Sequence, residues 1–302
     1  MKLREEDCFP HFYDDASPHS RFKLQSLTTF LSMWLPRCRR PVLFDLYAGC
    51  GGHWSRTGSC VRLGSTARFV SAALDHGIPL GSVFAAERLE SFHAVLTALL
   101  ADLVAGNCDS DEGGIWAQGN LRLGPWGREL LTPMREALSS AESDVFLLAD
   151  QFGHTGVNVK LLRSLSQCRS ATASLSLLLF VGMMRVTEES ISSTFGFDSK
   201  VDTSNCPPTW SDQRRWVAAI TAKLEEVVGG PTAHALVFRD AYDIDKEVPG
   251  HLCYALVFAS TNPAATRFMH HAFRKHTETH YSTQQRQRAL GTAHAFCVRN
   301  GW

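Results

Sequence analysis

Short apolar runs alternate with helix-like segments along the first two thirds of the chain, and this alternation restricts the fold more than any other feature. The clearest runs are 42–47, 82–86, 145–149 and 175–181, with a weaker candidate near Ile115 to Gln118. The segments between them, among them 65–76, 89–104 and 157–165, carry apolar residues on one helical face. Apolar strands that alternate with such helices are typical of a parallel sheet covered by helices on both faces.

The last third of the chain predicts a different connection. Segments 234–238 and 252–260 are apolar and separated by only about a dozen residues, which is short for a parallel crossover and natural for an antiparallel hairpin. Five parallel strands and an antiparallel edge hairpin predict a seven-stranded mixed sheet. The expected fold class is therefore α/β, with the Rossmann-like class I methyltransferase sheet.

The order of these segments also predicts the domain organisation. Residues 1–20 are expected to form a flexible leader, and 21–265 a single domain that begins with an amphipathic helix at 21–35. A helical insertion is expected at about 185–228, and a basic helical extension at 266–302.

Composition excludes several function classes. Thirty Lys and Arg residues balance thirty Asp and Glu residues, so net charge does not attract the chain to nucleic acid or to an anionic membrane, and any such binding needs a local patch. No apolar run approaches the roughly 18 residues that span a bilayer, and the amino terminus has no apolar signal core. The nine cysteines are scattered without a C-x-x-C pair. We therefore expect a cytoplasmic protein with reduced thiols and no membrane contact.

The sharpest motif is the glycine-rich sequence that follows the first strand. The segment 42–52 reads VLFDLYAGCGG, with Asp45 before the turn and Gly49, Gly51 and Gly52 within it. Such a loop allows close approach of a ligand to the backbone at the carboxyl edge of the sheet. In methyltransferases with a loop of this kind, the acid lies near the methionine end of S-adenosylmethionine (SAM) and the glycines pass under the ligand.

Glu87, at the end of the second strand, completes the predicted SAM site. A carboxylate at this position can accept hydrogen bonds from both ribose hydroxyls. About 40 residues separate it from Asp45, roughly twice the usual interval, so residues 53–64 are expected to be an insertion. Two alternatives stay open: the glycines make only a tight turn, or the ligand is a nicotinamide or flavin, although Trp54 breaks the G-x-G-x-x-G fingerprint.

The fourth strand ends in a second polar motif. Asp150 is the candidate that orients the methyl acceptor, and Phe152 the candidate that stacks on a base or on the adenine. Gln151 and Phe152 stand where amino methyltransferases acting on nucleic acid carry prolines. The alternative is that Asp150 caps a helix that begins near Gly156.

The order of these motifs resembles that of the three-Cys-motif partner (TcmP) family over about residues 17–275. The matching landmarks are His19, Lys23, Asp45 to Gly51, Gly64-Ser65-Thr66, Glu87, Asp150-Gln151-Phe152-Gly153 and Tyr254 to Ala259. The chain departs from the family at Thr66 and Gln151, where the family usually has proline. The resemblance implies a SAM methyltransferase fold and a partner protein with a radical-SAM-like three-cysteine motif.

Two function classes follow from this sequence. The first is a SAM-dependent methyltransferase that acts on nucleic acid or on a nucleic-acid-associated substrate. The second is a non-catalytic module with the same fold that binds nucleic acid or the three-Cys partner. The segment 267–302, which carries six Lys and Arg residues and one carboxylate, is the predicted nucleic-acid contact. No metal site is predicted, because the histidines at 270, 271, 276 and 280 are more typical of a solvated helix face.

Overall fold

The computed structural model describes residues 18–54, 60–106, 120–150, 159–183, 186–197, 201, 203, 204, 206, 212–238 and 252–280. The helices are α1 (Pro18–Trp34), α2 (Ser65–Asp75), α3 (Glu90–Ala105), α4 (Trp126–Glu129), α5 (Leu131–Ser139), α6 (Val159–Gln167), α7 (Glu188–Phe195), α8 (Asp212–Val228) and α9 (Pro263–His280). The strands are β1 (Arg40–Asp45), β2 (Gly52–Trp54), β3 (Cys60–Leu63), β4 (Val83–Glu87), β5 (Leu121–Leu123), β6 (Ser143–Ala149), β7 (Ser174–Gly182), β8 (Thr232–Phe238) and β9 (Leu252–Ser260). None of these helices is long and apolar enough to cross a membrane.

Seven of the strands form one mixed sheet in the order β5-β4-β1-β6-β7-β9-β8. β1 pairs in parallel with β4 on one side and β6 on the other, whereas β9 pairs antiparallel with both β7 and β8. This order confirms the predicted fold class, a Rossmann-like α/β sheet of the class I methyltransferase type. The reversed strand is β9, one position in from the edge, and β8 is the edge strand.

The chain divides into two compact units. The first comprises residues 1–150 and 167–175, and the second 151–166 and 176–302. In the first, aromatic side chains of α1, α2 and β6 form the core on one face of the sheet. Phe146 on β6 lies 5.2 Å from Phe30, 5.8 Å from Trp34 and 5.7 Å from Phe69, measured between ring centroids.

The second unit has its own buried contacts. Ser176 on β7 and Ser260 on β9 are register partners, and their fully buried hydroxyls share a hydrogen bond of 2.8 Å. Helix α7 begins with a capping box, in which the Thr187 side chain accepts from the Ser190 N–H and the Ser190 side chain accepts from the Thr187 N–H.

The described structure adds elements that the sequence pattern did not predict. Strands β2 (Gly52–Trp54) and β3 (Cys60–Leu63) pair antiparallel at the expected insertion. The third parallel strand is Leu121–Leu123, while the candidate strand at 115–118 lies outside the described residues. Helices α4 and α5 follow it. The expected division into leader, domain and extension stays a prediction, and residues 1–17 and 281–302 also lie outside the described residues.

Candidate functional site

Three carboxylates meet at the carboxyl edge of the sheet in the first unit because of the two-residue period of strands. In the register of the parallel strands, Asp45 lies opposite Ala85 on β4 and Leu148 on β6. Glu87 and Asp150 each come two residues after these partners, so their side chains leave the same face of the sheet as Asp45. Helices α1 and α2 cover that face.

Asp45 is fully buried and held by the start of α2. Its Oδ2 atom accepts hydrogen bonds from the Ser65 hydroxyl at 2.6 Å and the Thr66 hydroxyl at 2.7 Å, and Oδ1 accepts the Tyr47 N–H at 3.2 Å. Burial and, to a smaller extent, the nearby Asp150 carboxylate together raise the pKa of Asp45 to about 6, against the opposing effect of these hydrogen bonds. The buried carboxylate therefore holds together the loop after β1 and the start of α2, and it does not face solvent.

The glycine loop lies against the second predicted carboxylate, Glu87. The Gly49 N–H donates to Glu87 Oε2 at 2.8 Å, and the Leu89 N–H donates to Oε1 at 2.8 Å. Gly49 has φ of +62°, and a Cβ there would meet no atom within 4 Å. The loop backbone and the Glu87 carboxylate thus form one preorganised surface, with open space beside Gly49.

Residue 51 must be glycine because helix α3 lies close to its backbone. Its φ is +79°, and a Cβ on it would lie 2.4 Å from Leu96 Cδ1 and 3.0 Å from Leu99 Cδ2 on α3. Its carbonyl accepts the Gly64 N–H at 2.7 Å, at the base of the hairpin where Gly52 pairs with Leu63. The loop therefore packs between α3 and the hairpin.

Asp150 forms an ion pair with Lys23 of α1, and both side chains are about one fifth exposed, at 22% and 19%. The contact joins two of the landmark positions, and the sequence analysis had assigned Lys23 no role beyond that of a landmark. The predicted stacking residue Phe152 and the alternative helix start at Gly156 lie outside the described residues, as do all of residues 151–158.

The sequence analysis did not predict two further features at this edge of the sheet. The Trp126 Nε1–H donates to the Tyr47 hydroxyl at 2.7 Å and so ties α4 to the loop after β1. Among the described residues, the exposed large apolar side chains are Leu89 at 42% and Leu123 at 47%, and Leu123 is the register partner of Glu87. A leucine gives no signal of exposure in the sequence, since it is usually buried.

No family model matches the chain, and no curated protein matches it. Solved structures with a similar fold include the CcbJ methyltransferase from Streptomyces caelestis, which is 12% identical with a TM-score of 0.33 over 60% of this chain and 59% of that one. A SAM-dependent methyltransferase from Agrobacterium tumefaciens is 12% identical with a TM-score of 0.35, over 78% and 60% of the two chains. A SAM-dependent methyltransferase from Thiobacillus denitrificans in complex with S-adenosylhomocysteine (SAH) is 11% identical with a TM-score of 0.36, over 99% and 94%.

The similarity to the first two structures spans about 60% of their length. Because all three TM-scores lie below 0.5, the similarity adds nothing on ligand or substrate. The fold assignment rests instead on the strand order and register, which place this chain in the α/β class with a methyltransferase-type sheet.

Proposed function

We propose that the chain binds SAM at the carboxyl edge of β1 and β4 and is a SAM-dependent methyltransferase. The observation that carries the proposal is the Glu87 carboxylate, which is fixed through both oxygens by the backbone N–H groups of Gly49 and Leu89. A carboxylate oxygen has two acceptor positions, so each Glu87 oxygen keeps one for a ribose hydroxyl.

The surroundings of Glu87 fit the other parts of the cofactor. Leu89 and Leu123 expose apolar surface beside it, which suits the face of a purine. The open space at Gly49 admits a ligand close to the backbone. Asp45, in this proposal, positions the loop and the start of α2, and contributes negative charge beneath the cationic end of SAM. When bound, SAM supplies an electrophilic methyl group.

Calorimetry with SAM and with SAH tests this proposal on the purified full chain. We expect wild type to bind both. Asp45→Ala should weaken binding by tens of fold, on the order of 2 kcal/mol, because the variant loses the carboxylate and the hydrogen bonds that fix the loop. Glu87→Ala should weaken it at least as much. Glu136→Gln, which removes an exposed carboxylate of α5, should bind like wild type. Absence of wild-type binding at millimolar ligand would reject the proposal.

The finer part of the proposal concerns the substrate. We propose a TcmP-type enzyme that acts on nucleic acid or on a nucleic-acid-associated substrate, with a three-Cys-motif protein as partner. The order of the landmark residues supports the TcmP relation, and the contact between Lys23 and Asp150 shows that two of those landmarks lie together. Methyl transfer would depend mainly on holding the acceptor in line with the methyl group, which needs no strong base.

The ion pair of Asp150 also favours a second candidate function. Because Lys23 already occupies this carboxylate, the chain is alternatively a non-catalytic module that binds nucleic acid or the three-Cys partner. Methyl transfer from labelled SAM into total RNA, DNA and protein separates the two. Incorporation by wild type and its loss in Asp150→Ala support the enzyme. Equal incorporation by both removes Asp150 from the mechanism, and none by wild type that binds SAM supports the module.

A further inference from the structure

A separate two-stranded hairpin stands between the glycine loop and α2. Its base is fixed tightly: Gly52 pairs with Leu63, and the Gly64 N–H donates to the Gly51 carbonyl at 2.7 Å. A Cβ on Gly64 would lie 2.8 Å from the Gly51 carbonyl carbon and oxygen. Side chains near the base of this hairpin are therefore held at a defined place beside the candidate SAM site.

The sequence around this hairpin has only one sign of charge. Between Asp45 and Asp75 the chain contains no Asp or Glu, whereas it contains Arg56, Arg62 and Arg68. The whole chain is formally neutral, so this excess of positive charge is local. A protein with no net charge needs such a local positive patch in order to bind a polyanion.

Two of these arginines lie together in the structure. Arg68 on α2 donates from Nε to the Leu63 carbonyl at 3.0 Å, and from a terminal guanidinium nitrogen to the Thr28 hydroxyl at 2.6 Å, so both acceptors are neutral. Burial lowers the pKa of Arg68, and the positive charge of Arg62 lowers it further. The two positive charges repel each other, and an anion bound between them would relieve the repulsion.

His53 adds a third basic side chain to the same place. It is the cross-strand partner of Arg62 in the β2–β3 hairpin, so the two side chains leave the same face. We call His53, Arg62 and Arg68 the basic hairpin face. Arg62 precedes Gly64 by two residues, and Arg68 lies about one helical turn after the Ser65 and Thr66 that hold Asp45.

We propose that the basic hairpin face binds the phosphodiester backbone of a nucleic-acid substrate. The inference rests on the proposed function, because it assigns the surface that would hold the nucleic-acid substrate of the candidate methyltransferase site. Phosphate contacts fix the position of a strand without reading its sequence, and a strand held here would run past the glycine loop, next to the place where the methyl group would be transferred. Nucleic acid is favoured over a membrane surface because the basic hairpin face lies beside this site.

Anisotropy titrations of the full chain with short labelled RNA and DNA oligonucleotides, in the absence of SAM, test this assignment. Arg62→Glu should weaken binding by about tenfold or more, and should lower the slope of log K against log salt by about 1 between ~50 and ~200 mM salt. Arg62→Lys should retain most of the affinity, since phosphate attraction needs charge more than a planar fork. The matched control is Arg135→Glu, at an exposed position of α5, which should bind like wild type.

Other outcomes overturn the inference. It fails if Arg62→Glu and Arg135→Glu weaken binding equally. It also fails if the double variant Arg286→Glu/Arg288→Glu, in the basic segment 267–302, abolishes binding while Arg62→Glu does not. It also fails if wild type binds no oligonucleotide, including the case in which phosphatidylserine vesicles bind instead. Calorimetry with SAM, on wild type and on Arg62→Glu, separates this inference from the proposed function. If wild type binds nucleic acid through Arg62 but binds no SAM, the proposed function is rejected and this inference stands.

Discussion

Thr66 shows how one side chain alters the candidate site at the scale of single residues. The TcmP family, which the sequence resembles only in the order of its motifs, usually has proline at this position, and proline carries no hydroxyl. Thr66 instead donates a second hydrogen bond to Asp45 beside that of Ser65. The departure therefore has a structural role. Asp45 itself was identifiable from the sequence as an acid before a glycine loop, but its complete burial was not, because burial depends on how α2 packs over the strand end.

The pH dependence of stability tests the environment of Asp45. The folded-state pKa of about 6 lies above the value of 3.8 for an exposed side chain. As pH rises through this window, the unfolded chain releases the proton first, so unfolding becomes more favourable. Asp45→Asn lacks this titration. We expect the free energy of unfolding of wild type to fall relative to that of the variant by about 2 kcal/mol between pH 4 and pH 7.

Urea unfolding at several pH values measures this difference. Asp75→Asn removes an exposed carboxylate from the same unit and serves as the control for a change in surface charge. A difference between wild type and Asp45→Asn that stays constant with pH, or that grows in favour of wild type, would contradict the assigned environment.

At the scale of elements, prediction succeeded where a pattern was long enough to have a period. The strands β1, β4, β6, β7, β8 and β9 and the helices α1, α2, α3 and α6 follow the predicted segments closely. β5 has only three residues, which is too few to show an alternation. The hairpin β2–β3 is similarly short, and it accounts for part of the unusual interval between Asp45 and Glu87.

The packing of the glycine loop on α3 leads to a second prediction. Gly51→Ala combines an unfavourable φ of +79° with a Cβ only 2.4 Å from Leu96, so the variant should lose about 2 to 4 kcal/mol of stability. Gly77→Ala is the matched control. Its φ of +63° is similar, but no atom lies within 4 Å of the added Cβ, so the cost should be about 1 to 2 kcal/mol. Denaturant unfolding compares the two variants, and an equal loss would show that the contact with α3 is relaxed at no cost.

At the scale of the whole molecule, the described groups of the candidate site belong to one unit. Lys23, Asp45, Gly49, Glu87 and Asp150 all lie within the first compact unit, as does the basic hairpin face. A sequence pattern predicts such a division poorly, because each unit is built from two separate stretches of the chain. The neutral net charge is equally uninformative about binding, since it hides a run of 29 residues, 46–74, that lacks carboxylates.

This distribution predicts where ligand binding will alter hydrogen exchange. A ligand that contacts only the native state raises the free energy of local opening in the segments that it touches. Saturating SAH should therefore slow amide exchange in segments 43–52 and 83–90, which contain Asp45, the glycine loop, Glu87 and Leu89. Exchange in β8 and β9 of the second unit should be unchanged. Mass spectrometry resolves these peptides, and Glu87→Ala should lose the protection at the same SAH concentration. Slowing confined to the second unit would place the ligand elsewhere, because no proposed SAM contact lies in β8 or β9.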